Sequence, residues 1–267
     1  MRILELFLPL LLVTPASAGF YGKNTDVLNL DPKTFKDEIM NTNHTSIVEF
    51  YAEWCGHCRQ LRPHYIKAAS SLKGIAKVAA VRCDDSFTQP LCQHYNVKGY
   101  PTLKIFTPPK IAGSKPRVED YQGQRTAKAI ANTVIGHLRN HVKRLTDSEV
   151  IAWLEESTMP SVLLFTDKTA IPPMFKALAI DYSGTADFGY LKKGEKAIAK
   201  QYGITKYPAV VVLTKNNDGS TESHFYSGEH KKELLYDYIS KYAMPTEGPK
   251  KGQFPENMNK PLGHEEL

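Results

Sequence analysis

The sequence predicts an α/β protein made of two tandem domains of similar design, each with a mixed central sheet flanked by helices. Apolar, β-rich runs, of which residues 46–51 and 161–166 are the clearest, alternate with helical stretches. The pattern also repeats, because residues 94–101 are paralleled by residues 201–208. The chain has 267 residues, of which 42% are hydrophobic and 23% charged, as expected for two globular domains.

The first domain is predicted from alternating strand and helix signals. Its strands are expected at residues 27–30, 46–51, 78–83, 102–106 and 117–121, and its helices at 55–72, 87–95 and 126–144. Asp31 followed by Pro32 is typical of a helix N-cap with proline at the first helical position. The last two strands are expected to form an antiparallel pair.

Two cysteines, Cys55 and Cys58, lie where the predicted strand 46–51 gives way to a helix. Cys55 then stands at the helix N-terminus, where backbone N–H groups and the helix dipole favour an anionic sulfur. Cys58 follows about one turn later, and His57 adds an imidazole that can carry positive charge. This arrangement predicts a redox dithiol. A zinc site would need two more ligands, and Cys83 and Cys92 are poorly spaced for that role.

The run Trp54-Cys55-Gly56-His57-Cys58, preceded by residues 48–53, resembles the active-site signature of the protein disulfide isomerases of the thioredoxin superfamily. The resemblance is to small fungal members with one catalytic a-type domain and one inactive b-type domain. It implies a thioredoxin-like fold for both domains and thiol–disulfide exchange without a cofactor or metal. Glu53 departs from the family pattern, which usually has proline there.

The resemblance implies roles for three side chains outside the dithiol. Glu49 matches a buried glutamate that carries the proton of Cys58. Arg82 stands where the family often has a lysine paired with that glutamate, although arginine stays charged where lysine can titrate. Arg125 matches a mobile arginine thought to lower the pKa of Cys58, and the alternative is a solvated residue at a helix start.

A surface for the client is implied by the same resemblance. Tyr100-Pro101 resembles the cis-proline turn that faces the dithiol, and an X–Pro bond is where a cis peptide is expected. Trp54, Tyr100 and Pro101 would form the surface against which an extended client lies.

The second domain lacks this chemistry. When Phe165 is aligned on Tyr51, residues 169–172 replace the dithiol, Leu163 replaces Glu49 and His230 replaces Arg125. Its other predicted elements are a capping box at 146–149, a helix at 174–182 and a strand at 209–214. The domain resembles the family's b-type domains and is expected to bind clients or dock a partner. The alternative is that it only stabilises the first domain.

The remaining cysteines are predicted to form a structural disulfide. In a thioredoxin fold Cys83 at a strand end and Cys92 on the next helix would lie close together, and an oxidising compartment favours pairing. The alternative is two buried apolar thiols. Asn43 begins an Asn-His-Thr sequon and is a candidate N-glycosylation site.

The ends of the chain predict its compartment. Residues 1–18 have a positive start, an apolar stretch and an Ala-Ser-Ala cleavage site, which is typical of a secretory signal peptide. His264, Glu265, Glu266 and Leu267 resemble a retrieval signal of the endoplasmic reticulum, whose lumen is therefore the expected location. The predicted domains are residues 19–144 and 145–244, followed by a flexible tail at 245–267.

The expected partners are unfolded or misoxidised secretory proteins, an oxidase or glutathione as redox partner, and another chaperone of the endoplasmic reticulum. The formal net charge of +6 is spread along the chain without a basic cluster, so a nucleic-acid partner is not expected. After the signal peptide, the absence of a long apolar run argues against a membrane span.

The sequence therefore predicts a thiol–disulfide oxidoreductase and isomerase. The alternative is a chaperone or adaptor whose second domain binds clients or a partner, with redox activity secondary.

Overall fold

A computed structural model describes residues 19–109 and 114–245 of the chain. Over these residues the chain forms two five-stranded sheets flanked by helices, as expected for two tandem thioredoxin-like domains. The predicted signal peptide, most of the predicted tail and the retrieval signal lie outside the described residues. No helix in the described ranges is long and apolar enough to cross a bilayer.

The first unit follows the predicted order of strands and helices. Its elements are β1 (Leu28–Asn29), α1 (Pro32–Phe35, continued by a π-helical turn at Lys36–Met40), β2 (Ser46–Tyr51), α2 (Gly56–Leu72), β3 (Lys77–Arg82), α3 (Gln89–His94), β4 (Thr102–Thr107), β5 (Arg117–Asp120) and α4 (Ala127–Gly136). The sheet order is β1-β3-β2-β4-β5, with β1, β3 and β2 parallel and β4 and β5 antiparallel. All six residues of β2 are buried because the strand lies at the sheet centre with a core on each face.

The strands and helices of the second unit follow one another in the same order as those of the first. Its elements are β6 (Val142–Arg144), α5 (Val150–Glu156), β7 (Ser161–Thr166), α6 (Pro173–Asp181), β8 (Asp187–Lys192), α7 (Lys196–Gln201), β9 (Ala209–Lys215), β10 (Thr221–Phe225) and α8 (Lys232–Ile239). The sheet order is β10-β9-β7-β8-β6, so β7 occupies the central place that β2 has in the first unit. The two sheets therefore match strand for strand.

The boundary between the units differs from the prediction. The helix expected over residues 126–144 ends at Gly136, and Val142–Arg144 pairs in parallel with β8 of the second sheet. Val142 is buried in the core of the second unit, while the next two residues are exposed at the sheet edge. The second unit thus begins before residue 145.

Four elements of the second unit, β8, α7, β10 and α8, are not among the elements expected from the sequence. Strand β8 contains Gly189, a residue type that is depleted in strands. A Cβ at this position would lie 2.6 Å from Cδ1 of Leu145 and 3.1 Å from Cδ2 of Leu163. Close packing of the core over the sheet requires glycine there.

Candidate active site

The dithiol is positioned by the junction of β2 and α2. Cys55 is the N-cap of α2, with an extended backbone, and its Sγ accepts a hydrogen bond of 3.3 Å from the N–H of Cys58. Helix N-termini offer such unpaired donors, and these stabilise an anionic acceptor. Both thiols are free. Cys55 is 6% exposed and Cys58 is fully buried, so the first sulfur is the one that a client can reach.

The Cys58 thiol is held in its protonated form. Burial is the largest contribution that raises its pKa, and the hydrogen bond with Cys55 and the charge of Glu49 raise it further. A thiol in such a site becomes a nucleophile only when a base accepts its proton.

The Tyr100–Pro101 peptide bond is cis, and the turn that contains it faces the dithiol. The Tyr100 carbonyl oxygen lies 3.5 Å from Sγ of Cys55. Nη2 of Arg125 donates a 3.1 Å hydrogen bond to the Pro101 carbonyl oxygen. The predicted cis-proline turn, the dithiol and Arg125 therefore lie together, and the side chain of Arg125 contacts the turn.

Beside the dithiol, Trp54 presents an aromatic face to solvent. Its side chain is 68% exposed, and its ring packs edge-on against Tyr100 with 5.9 Å between centroids. His57 lies in the first turn of α2, where its Nδ1 is 3.4 Å from Oε1 of Gln60. Large exposed aromatic side chains next to a reactive group are typical of contact surfaces for other proteins.

Glu49 lies in the middle of β2 and is fully buried. Burial raises the pKa of this carboxyl to about 7, although a hydrogen bond from Tyr21 and the charge of Arg125 act to lower it. Its Oε1 has no hydrogen-bond partner among the described residues. A carboxyl that titrates near neutral pH beside a buried thiol is suited to proton transfer.

Arg82 does not pair with Glu49, and that expectation is wrong. In the register of β2 and β3, Glu49 faces Ala80, whereas Arg82 faces Tyr51 at the strand end. The half-exposed guanidinium instead contacts two surface acids: Nε is 2.9 Å from Oδ1 of Asp84, and Nη1 is 3.1 Å from Oε1 of Glu53.

Sequence reasoning missed Tyr21, which is 2% exposed and donates a hydrogen bond from its hydroxyl to Oε2 of Glu49. The two residues are 28 positions apart, and Tyr21 lies just after the predicted cleavage site. No local pattern marks it, since an aromatic residue near a chain end is most simply a packing residue. Tyr21, and not Arg82, is therefore the residue that pairs with Glu49.

Comparisons with known proteins agree with this geometry. Residues 26–135 match the family model described as Thioredoxin. A putative protein disulfide-isomerase of Dictyostelium discoideum is 34% identical over 89% of this chain and 58% of its own length. Protein disulfide-isomerase MPD1 of Saccharomyces cerevisiae is 39% identical over 70% of this chain and 63% of its own length.

The chain belongs to the protein disulfide-isomerase family. It spans only 58% and 63% of the length of the two relatives above. The crystal structure of full-length ERdj5 matches 81% of this chain and 32% of that chain, with a TM-score of 0.50 and 21% identity. That likeness concerns the fold alone.

In this member of the family, Cys83 and Cys92 are joined by a disulfide with 5.9 Å between their Cα atoms. The bond ties the end of β3 to α3, as expected from the compartment and the fold. Asn43 of the sequon is exposed, whereas Thr45 is 1% exposed and its hydroxyl donates a 3.0 Å hydrogen bond to the His137 carbonyl. In the folded chain, the asparagine of the sequon is therefore accessible from solvent and the threonine is not.

The second unit keeps the family's cis-proline turn without the dithiol. Its Tyr207–Pro208 bond is cis, like the Tyr100–Pro101 bond of the repeat. The expectation that Leu163 replaces Glu49 is wrong, because the sheet register puts Leu164 there: Glu49 faces the second residue after cis-Pro101, and Leu164 faces the second residue after cis-Pro208. Leu164 is buried, and α6 begins with Pro172 as its N-cap. Within the described ranges, no group of three or more His, Cys, Asp or Glu residues is arranged to hold a metal ion.

Proposed function

We propose that this protein is a thiol–disulfide oxidoreductase that forms and rearranges disulfides in secretory proteins through Cys55 and Cys58. The observation that carries the proposal is the position of Cys55. Its sulfur lies at a helix N-terminus, accepts a backbone N–H, faces a cis-proline turn and stands above a buried second thiol. Thiol–disulfide exchange needs this combination of an accessible thiolate and a resolving thiol.

The reaction proceeds through a mixed disulfide. In the reducing direction, the Cys55 thiolate attacks one sulfur of a client disulfide; a bond forms between the two sulfurs, and the client S–S bond breaks. The other client sulfur leaves as a thiolate and takes a proton. In the oxidising direction, a client thiolate attacks the Cys55–Cys58 disulfide, and the same steps run in reverse.

Cys58 resolves the mixed disulfide. Glu49 accepts its proton, the resulting thiolate attacks Sγ of Cys55, and the client cysteine leaves reduced while the two enzyme cysteines become a disulfide. Electrons then enter or leave the dithiol through glutathione or an oxidase, which returns the enzyme to the state that it started from.

The client is held beside the dithiol. The exposed ring of Trp54, the ring of Tyr100 and the cis-proline turn at Pro101 offer an apolar surface to an extended segment. We assign Arg125 a mobile role: when it releases the Pro101 carbonyl, its charge can approach Cys58 and favour the thiolate.

The second unit is proposed to dock a client or a partner such as another chaperone. Its edge strand β10 leaves Phe225 51% exposed, and such surface supports contact with other proteins. The lumen of the endoplasmic reticulum is the proposed location, on the strength of residues 1–18 and 264–267. We also propose Asn43 as a glycan acceptor that must be modified before Thr45 is buried.

The test is trapping of the mixed disulfide. The chain from residue 19 is mixed with reduced and with oxidised ribonuclease, quenched with acid and analysed by mass. We expect wild type to exchange, Cys55→Ala to be inactive, and Cys58→Ala to accumulate a disulfide between Cys55 and the client. Exchange by Cys55→Ala at the wild-type rate would contradict the proposal.

A further inference from the structure

The two oxygens of the Glu49 carboxyl are not equivalent. Oε2 accepts the hydrogen bond from the Tyr21 hydroxyl, and Oε1 is buried without a partner among the described residues. Burying a carboxylate oxygen without a hydrogen bond costs folding free energy, so such an atom needs an explanation. A site that binds and releases a proton provides one. Ala80, the residue opposite Glu49 on β3, supplies no donor.

We propose that Tyr21 is a positioning residue for proton transfer: its hydroxyl fixes Oε2 of Glu49 and leaves Oε1 as the oxygen that exchanges a proton with Cys58. This inference rests on the proposed function. The step is balanced within the site, since the proton that leaves the Cys58 sulfur moves to the carboxyl and returns when the thiol is restored. Tyr21 keeps its own proton throughout.

The segment that carries Tyr21 is anchored to the domain at several points. Nδ2 of Asn29 donates a 2.8 Å hydrogen bond to the Tyr21 carbonyl. Next to it, the ring of Phe20 stacks on Tyr51 with 4.5 Å between centroids, and the guanidinium of Arg62 lies 5.5 Å from the Phe20 ring. These contacts hold the phenol against the central strand, so its hydroxyl is presented to Glu49 in one orientation.

The titratable groups that act on Glu49 are three phenols, one thiol and one guanidinium: Tyr21, Tyr51, Tyr65, Cys58 and Arg125. Burial raises the pKa of each phenol well above its ordinary value, so all three stay neutral near pH 7. Tyr21 alone among them gives Glu49 a side-chain hydrogen bond. That bond favours the carboxylate, which is the form that can accept a proton.

The test compares Tyr21→Phe with Tyr65→Phe. Tyr65 is a matched control because it is also fully buried beside Glu49, but its hydroxyl donates to the carbonyls of Ile47 and Ala79 at 3.0 and 2.8 Å. The reduced chain from residue 19 is mixed with excess oxidised glutathione and quenched with acid. The conversion of mixed disulfide to the Cys55–Cys58 disulfide is then followed by mass across a range of pH.

For Tyr21→Phe we expect the midpoint of this conversion to move to higher pH by about one to two units, because the lost bond is charge-assisted. The midpoint for Tyr65→Phe should equal that of wild type. An unchanged midpoint for Tyr21→Phe, or equal shifts in both variants, would overturn the inference. Absence of any exchange by wild type would instead refute the proposed function.

A second measurement covers the case in which Tyr21→Phe does not fold. In the wild-type chain the Tyr21 hydroxyl proton should be observable by NMR, because it is buried and hydrogen-bonded. Its chemical shift should titrate with the midpoint of the Glu49 carboxyl. A phenolic proton that exchanges freely with water, or that is insensitive to this titration, would overturn the inference.

Discussion

Glu49 faces Ala80 across the parallel pair of β2 and β3, so the neighbouring strand places no cation beside this buried carboxyl. Burial therefore dominates and raises the pKa of Glu49 to about 7 from 4.5. The same feature that suits the residue to proton transfer makes its ionisation a cost to the fold.

Replacement of Glu49 by glutamine should change how stability depends on pH. Between the two pKa values of Glu49 the folded chain holds a proton that the unfolded chain has released, so the free energy of unfolding falls as pH rises through this window. The total loss is on the order of 3 kcal/mol, and Glu49→Gln should abolish it. Urea unfolding of reduced wild type and reduced Glu49→Gln at about pH 5 and pH 8 measures how the free energy of unfolding of each protein changes with pH. An equal change of the free energy of unfolding with pH in the two proteins would contradict a buried, titrating Glu49.

Loss of the second cysteine pair should cost stability without removing exchange. The disulfide closes a separation of nine residues, so the Cys83→Ala, Cys92→Ala double variant should lose about 2–3 kcal/mol of unfolding free energy through loop entropy. The midpoint of chemical unfolding measures the loss. Wild type with all disulfides reduced is the control and should resemble the variant. Loss of glutathione exchange in a variant that is still folded would show that the pair does more than hold the fold.

Trp54→Ala should separate client binding from chemistry. The exposed ring contributes contact area and no reacting atom, so KM for an unfolded protein should rise roughly five- to tenfold, corresponding to about 1 kcal/mol of lost contact. The rate with oxidised glutathione should not change, because this ligand is too small to need the ring. Ile151→Ala, which removes a side chain that is 56% exposed on α5, is the control. A fall in the glutathione rate of Trp54→Ala would contradict the assignment.

Asp181 should contribute to the contact between the two units. Its Oδ1 lies 2.7 Å from Nε2 of His44 in the first unit, and its Oδ2 lies 2.6 Å from Nζ of Lys232 on α8. Burial alone would raise the pKa of Asp181, but the contacts with His44 and Lys232 outweigh it and lower the pKa below 3.8.

Asp181→Asn should therefore lower the free energy of unfolding by roughly 2 kcal/mol near pH 7. Because the folded pKa is depressed, the stabilisation is present above the unfolded value and is lost as pH falls through the folded one. The deficit of the variant should thus shrink toward about pH 3. Glu229→Gln is the matched control, since the pair of Glu229 with Lys231 is largely exposed. Equal losses in both variants would contradict a special role for Asp181.

Local pattern predicted much of this fold and most of the dithiol site. The central strands β2 and β7 each have four hydrophobic residues among six, and the helix start at Cys55 is marked by the change of pattern after Tyr51. The cis bond at Pro101 is implied by the family resemblance of its turn, and Pro208, which is also cis, holds the same place in the repeat. Each of these features depends on only a few neighbouring residues in the sequence.

The features that were missed depend on contacts between distant residues. The assignment of Arg82 failed because strand register, which decides that Ala80 faces Glu49, depends on the pairing of two strands. Tyr21 reaches Glu49 from 28 residues away, and Gly189 is required by the side chain of Leu145. Such pairings leave no periodic pattern in either segment. The short edge strand at Val142 likewise shows one apolar residue beside two charged ones.

The most direct test of the central claim is the reactivation of scrambled, fully oxidised ribonuclease by the chain from residue 19 in a glutathione buffer, with Cys58→Ala alongside. We predict that wild type restores ribonuclease activity and that the variant is slower, because clients remain attached to Cys55 when the resolving thiol is absent. Reactivation at the uncatalysed rate, together with no oxidation of reduced ribonuclease, would contradict the account. No reactivation with oxidation intact would restrict the protein to donating disulfides.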